Sequence, residues 1–131
     1  MSQNAKKVIL VVEDEKPLLE AIHAKLVKSG FEVVTARTVE QALGLLEDLE
    51  QVDVIWLDHY LLGKTTGLDF VAKVKNHAEW KQIPIFVVSN TASADKVKTY
   101  LSLGVNRYYT KSDYRLDQII GDINKFLAEK D

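Results

Sequence analysis

The chain has 131 residues, 47% of them hydrophobic and 27% charged, with a formal net charge of −2 and no cysteine. That size suits one domain with a substantial core. Without cysteine there are no disulfides, thiolate metal sites or cysteine nucleophiles, and no basic stripe offers a footprint for nucleic acid.

Near the N-terminus, Lys6 and Lys7 precede an apolar run that Glu13 and Asp14 cut short. The run is too brief for a signal core or a membrane span, so a cytoplasmic location is the default expectation. The run itself, Val8 to Val12, reads as a strand buried on both faces. From Pro17 to about Ser29, Leu18, Leu19, Ile22, Leu26 and Val27 recur at helical spacing, and Gly30 suits the position that ends the helix. Phe31 to Ala36 is a second strand. Thr38 with Gln41 predicts a capping box, opening a helix that turns Ala42, Leu45, Leu46 and Leu49 inward.

The third strand, Val52 to Leu57, is strongly apolar past Asp53, and it ends at Asp58. A polar loop follows to Thr65. Thr66 with Asp69 caps a helix whose stripe is Leu68, Phe70, Val71 and Val74. Pro84 to Val88 is a fourth strand, ending at Ser89. Ser93 to Leu103 reads as a helix with a sparse apolar face of Ala94, Val97, Leu101 and Leu103, stopped by Gly104. Asn106 to Thr110 is a more polar strand, which suits a sheet edge, and Lys111 follows it. Leu116 to about Lys130 is the last helix, with Leu116, Ile119, Ile120, Ile123 and Leu127 facing in.

Five strands alternating with five helices predict an α/β fold, a flavodoxin-like three-layer sandwich on a parallel sheet in the order 2-1-3-4-5. One domain is expected to fill residues 1–131, with its core at about 7–128. In that order strands one and three flank the topological switch point, where ligands bind at the carboxyl ends of strands. Glu13, Asp14 and Asp58 would converge there, with Ser89 and Lys111 alongside. Like charges at such distances disfavour one another. A divalent cation among them relieves this, and an all-oxygen donor set suits Mg²⁺ shared with phosphate. Each residue alone has a plainer reading: Asp14 as a helix cap, Ser89 as a loop residue, Lys111 as a surface lysine. No Gly-rich phosphate loop or Ser-His-Asp set competes with them.

Ile9-Leu10-Val11-Val12-Glu13-Asp14-Glu15, Val54-Ile55-Trp56-Leu57-Asp58, Gly67-Leu68, Val87-Val88-Ser89 and Gly104 through Lys111 together resemble the receiver domain of bacterial two-component response regulators, with its chemotaxis-regulator-like fold. The resemblance implies that Asp58 is the phosphoacceptor for a phosphoryl group from a sensor histidine kinase or a histidine phosphotransfer protein. It implies that Mg²⁺ is held by Asp14 and Asp58, by Glu13 through water, and by the backbone carbonyl of Tyr60. Lys111 and Ser89 would contact the phosphoryl group, and Tyr108 would be the aromatic switch. The module would catalyse only its own phosphorylation and dephosphorylation. Its output would be a protein-binding surface on helix four, strand five and helix five, with no direct contact to nucleic acid or membrane.

The chain departs from the family in four places. Ser112 replaces the proline after the lysine, so a trans peptide is expected, because a cis bond before a non-proline residue costs about 3 kcal/mol. Leu61-Leu62 replaces Met-Pro. Tyr60 is bulky where the family tunes water access, so Tyr60, with Thr91, would shield the phosphoryl group. Asn106-Arg107 replaces an acid pair used in dimerisation, leaving a monomer or a weak phosphorylation-dependent dimer. A pseudo-receiver that binds partners without phosphate is the alternative; an aspartyl phosphohydrolase lacks its second acid at Tyr60, and a flavin carrier would meet an acidic first loop. The Met1 start fits a natural N-terminus, and the end fits either a stand-alone regulator or a receiver cut from a longer chain.

Overall fold

A computed structural model describes residues 6–59, 61, 66–90 and 93–130. Ten elements alternate strictly: β1 (Val8–Val12), α1 (Lys16–Lys28), β2 (Glu32–Ala36), α2 (Val39–Asp48), β3 (Val54–Leu57), α3 (Gly67–Lys75), β4 (Ile85–Ser89), α4 (Ala94–Ser102), β5 (Arg107–Thr110) and α5 (Leu116–Lys130). All strand pairs are parallel, in the order β2-β1-β3-β4-β5. This is the flavodoxin-like architecture that the alternation predicts.

β1, β3 and β4 lie inside the sheet, and their side chains are almost wholly buried on both faces. That is why they read as continuous apolar runs rather than alternating ones. One face packs Ile9, Val11, Val54, Trp56, Phe86 and Val88 against α1 and α5. The other packs Leu10, Val12, Ile55, Leu57, Ile85 and Val87 against α2, α3 and α4. β5 is an edge strand, as its polar content predicts.

The helix ends follow their capping chemistry. Gly30 and Gly104 have φ of +98° and +102°, the left-handed conformation that glycine adopts without strain. Thr66 and Asp69 form a reciprocal capping box. At α2 the box is altered: Thr38 accepts the Gln41 N–H, but Gln41 Oε1 accepts the N–H of Arg37, one residue before the cap. β2 starts at Glu32, not Phe31, because the Phe31 N–H is committed to the Leu26 carbonyl in the turn that closes α1. β3 starts at Val54, and β4 runs one residue later than expected, Pro84 lacking the N–H that strand pairing uses.

Two helix faces differ from their predicted stripes. Val27 is 45% exposed at the open end of α1. In α4 the residue that turns inward is Tyr100, fully buried, while Leu101 is 49% exposed. An apolarity count passes over a tyrosine, yet its ring carries the larger buried surface and its hydroxyl needs a partner.

Candidate functional site

At the carboxyl edge of the sheet, β1 and β3 pair in register from Ile9↔Val54 to Val12↔Leu57. Their next residues, Glu13 and Asp58, therefore leave the sheet side by side. The Glu13 N–H bonds to the Ala36 carbonyl and the Asp58 N–H to the Val12 carbonyl, so both backbones stay fixed past the strand ends. Glu13 and Asp58 are buried, and Asp14 is half-buried. Each of the three offers one carboxylate oxygen within 4.8 Å of the others.

Lys111 reaches this edge from the end of β5. Its Nζ donates to Glu13 Oε1 at 3.1 Å and lies 3.7 Å from Asp58 Oδ1. Its backbone N–H is held by the Ser89 carbonyl at 2.8 Å, which ties the tips of β4 and β5 together. Ser89 itself is fully buried. The Lys111–Ser112 peptide is trans, as are all the described peptides. Tyr108 lies on β5, partly buried against the α2–α3–α4 face, beside Tyr100. Tyr60 and Thr91, and with them the expected carbonyl ligand and the expected shield, lie outside the described residues.

The electrostatics are unbalanced. Burial pushes the Asp58 carboxyl up from its ordinary 3.8 to about 7, helped by the charge of Glu13, a hydrogen bond with Glu13 and the charge of Asp14, and opposed by Lys111. Asp58 Oδ1 is buried with no hydrogen-bond partner. A buried, unpartnered carboxylate oxygen among two further carboxylates fits a hard cation with oxygen ligands, and the donor set fits Mg²⁺. Asp53, at the opposite end of the same strand, is the contrast: its Oδ2 accepts the Val8 N–H at 2.7 Å and both its oxygens accept from Gln51.

Three neighbours carried no signal in the sequence. Arg37 donates through Nε and Nη2 to the Asp14 carbonyl at 3.1 and 2.8 Å, clamping the loop that carries Asp14. His59 is buried and shares a hydrogen bond with Tyr100. Burial first, and Lys96 second, lower the His59 pKa, which favours neutral imidazole. Arg37 sits in a loop, His59 follows a motif and Tyr100 lies in a helix; only the fold brings them to the site.

Among curated proteins, the chain is 32% identical over 105 residues to the phosphate regulon transcriptional regulatory protein PhoB of Pseudomonas aeruginosa, covering 80% of this chain and 45% of PhoB. It is 31% identical to chemotaxis protein CheY1 of Helicobacter pylori, covering 79% of this chain and 83% of CheY1. The chain thus spans less than half the length of its PhoB relatives. Among solved structures, the phosphorylated cyanobacterial phytochrome response regulator RcpA superposes with a TM-score of 0.83 at 31% identity over 97% of both chains. The Mn(2+)-bound form of response regulator Rcp1 gives 0.78 at 29% identity, over 92% of this chain and 94% of that one. No described helix is long and apolar enough to cross a membrane. The response regulator receiver domain matches residues 9–124, and the chain belongs to that family of two-component signalling modules.

Proposed function

We propose that the chain is a phosphorylatable switch in which Asp58 takes a phosphoryl group from a phosphohistidine. The observation that carries this reading is the buried Asp58 carboxylate, its Oδ1 without a hydrogen bond and 3.7 Å from Lys111 Nζ, among the carboxylates of Glu13 and Asp14. The donor is a sensor histidine kinase or a histidine phosphotransfer protein.

In the transfer, a carboxylate oxygen of Asp58 attacks phosphorus in line. The new O–P bond forms as the P–N bond breaks, and its electron pair returns to the imidazole of the donor. Such transfers depend on positioning and on charge stabilisation rather than on covalent help from the enzyme. β3 positions Asp58, since its backbone is fixed on both sides. The Lys111 ammonium neutralises a phosphoryl oxygen. Glu13, Asp14 and Asp58 would hold Mg²⁺, with the Tyr60 carbonyl as a further ligand. When bound, the cation supplies charge neutralisation for the transferring group. The Mn(2+)-bound form of the similar chain Rcp1 supports a divalent cation here.

The acyl phosphate adds charge and acceptor oxygens. The Ser89 hydroxyl moves to meet one of them, and Tyr108 shifts inward, biasing the α4-β5-α5 surface. Turnover is limited to this one residue's phosphorylation and its hydrolysis. The domain works as a single unit over residues 1–131, in the cytoplasm, as a monomer or a weak dimer when phosphorylated.

The test is incubation with Mg²⁺ and acetyl phosphate or phosphoramidate, followed by intact-mass measurement. The expected result is one added phosphoryl group on the parent and none on Asp58→Asn or in EDTA. A parent that stays unmodified, or an Asn variant that is modified, overturns the reading and leaves a phosphate-independent interaction module.

A further inference from the structure

His59 and Tyr100 take no part in the transfer, yet both are buried next to it. His59 follows Asp58 directly, and its Nδ1 and the Tyr100 hydroxyl are 2.5 Å apart, across 41 positions of sequence. The two rings meet edge-on at 5.6 Å. On its other side the Tyr100 ring lies 5.7 Å from that of Tyr108, tilted by 46°. Gly67, at the start of α3, closes the array. A Cβ at Gly67 would lie 2.5 Å from the Tyr100 hydroxyl oxygen, 3.1 Å from the Asp58 carbonyl oxygen and 3.2 Å from the His59 Cα. The backbone of the phosphoacceptor, the first turn of α3, α4 and β5 thus meet around one pair of side chains.

The burial pattern makes this pair matter for α4. Tyr100 is the one buried residue of that helix. A short helix with one fully buried side chain, flanked by the partly buried Val97 and Leu103, has few contacts to resist displacement. The hydroxyl of that side chain is bonded to the residue after Asp58, so a shift of the backbone at 58–59 reaches α4 through it. Tyr108 packs on the same ring, so a movement of Tyr108 alters its contact with Tyr100.

We infer that His59 and Tyr100 are positioning residues that tie α4 and Tyr108 to the phosphoacceptor strand, forming a second link between site and output surface beside that of Ser89 and Tyr108. This rests on the reading of Asp58 as phosphoacceptor. The His59–Tyr100 bond favours the unphosphorylated position of α4, and loosening it releases the helix. A switch element moves only when its contacts differ between the two states, and this bond supplies such a difference.

The test is Tyr100→Phe, which keeps the ring and removes the hydroxyl. Without phosphodonor, the amide resonances of α4 and β5 move along the line toward their positions in the phosphorylated parent. The population of that state rises about fivefold, the effect of one buried hydrogen bond between neutral groups. His59→Phe moves the same resonances the same way, and the double variant adds little further, as coupled residues do. Both single variants still gain the phosphoryl mass at Asp58. A role in packing alone would lower stability without moving resonances along that line. A phosphorylated parent with unmoved α4 resonances in Tyr100→Phe overturns the link and spares the receiver reading, as do single-variant effects that simply add. A parent that takes no phosphoryl group overturns both.

Discussion

Asp58→Asn should stabilise the protein when no divalent cation is present. The parent fold holds the Asp58 carboxyl at about 7 against an ordinary 3.8, burial being the largest cause and Glu13 the next. At ~1.4 kcal/mol per pH unit, that rise sets an upper bound of ~4 kcal/mol on the destabilisation by the ionised group. The value of about 7 already contains the opposing charge of Lys111; because part of the rise belongs to the interaction with Glu13 rather than to Asp58 alone, about half, ~2 kcal/mol, is the expected gain on neutralisation.

The sign follows from which state loses its proton first. The unfolded chain releases the Asp58 proton near pH 4 and the folded chain only near 7, so the parent loses stability between those values and is level above them. The advantage of the Asn variant is therefore complete above pH 7 and gone near pH 4. For 131 residues, an unfolding entropy of ~0.28 kcal/mol/K converts ~2 kcal/mol into a Tm difference of about 7 °C. Thermal unfolding in EDTA at about pH 8 and about pH 4.5 measures it. Added Mg²⁺ should narrow the gap by raising the parent, by ~1.4 kcal/mol at ten times its Kd. An Asn variant that is no more stable at pH 8, or a difference that ignores pH, refutes the reasoning.

Other perturbations separate the parts of the site. Lys111→Ala removes the cation facing Asp58 and Glu13; the rate of phosphoryl gain from acetyl phosphate should fall about a hundredfold, and an unchanged rate would remove Lys111 from the transfer. Arg37→Ala frees the Asp14 carbonyl that it clamps; Mg²⁺ affinity by calorimetry should drop about tenfold, in line with other supporting residues of metal sites, while the urea midpoint barely moves. Gly67→Ala places a Cβ 2.5 Å from the Tyr100 hydroxyl oxygen and 3.1 Å from the Asp58 carbonyl oxygen. It should destabilise by ~2 kcal/mol, read as a lower urea midpoint at constant slope.

The fold was legible because each interior strand is buried on both faces, so apolarity alone marked β1, β3 and β4. The caps were legible because Gly30, Gly104, Thr66 and Asp69 act through their own backbone and near neighbours. Glu13, Asp14, Asp58 and Lys111 were legible as strand-end residues once the sheet order was set, since register carries them to one place. Interactions that join distant segments by side chains were not. Arg37 reaches across 23 positions to Asp14, and His59 across 41 to Tyr100. Neither pair has a spacing that a linear reading can weigh. In α4 and its cap, Val97, Tyr100 and Leu103 recur every three residues and turn inward, and a reading by apolar type alone put Leu101 in the stripe in place of the tyrosine.

β3 carries an aspartate just before its first residue and another just after its last, and their surroundings explain why only one suits a switch. Asp53 is fully engaged by Val8 and Gln51, so its charge has partners in the resting fold. Asp58 is buried beside two carboxylates with one nearby ammonium, which makes an excess of two negative charges once Asp58 has lost its proton. A divalent cation cancels that excess, whereas a phosphoryl group on Asp58 restores negative charge at the same point. The edge is then balanced only if new donors arrive. Ser89 lies on the neighbouring strand, and His59 is joined through Tyr100 to α4. A carboxylate satisfied at rest would give phosphorylation little to change; under the proposed function, the imbalance at Asp58 is what would make the state of this one residue felt at α4 and β5.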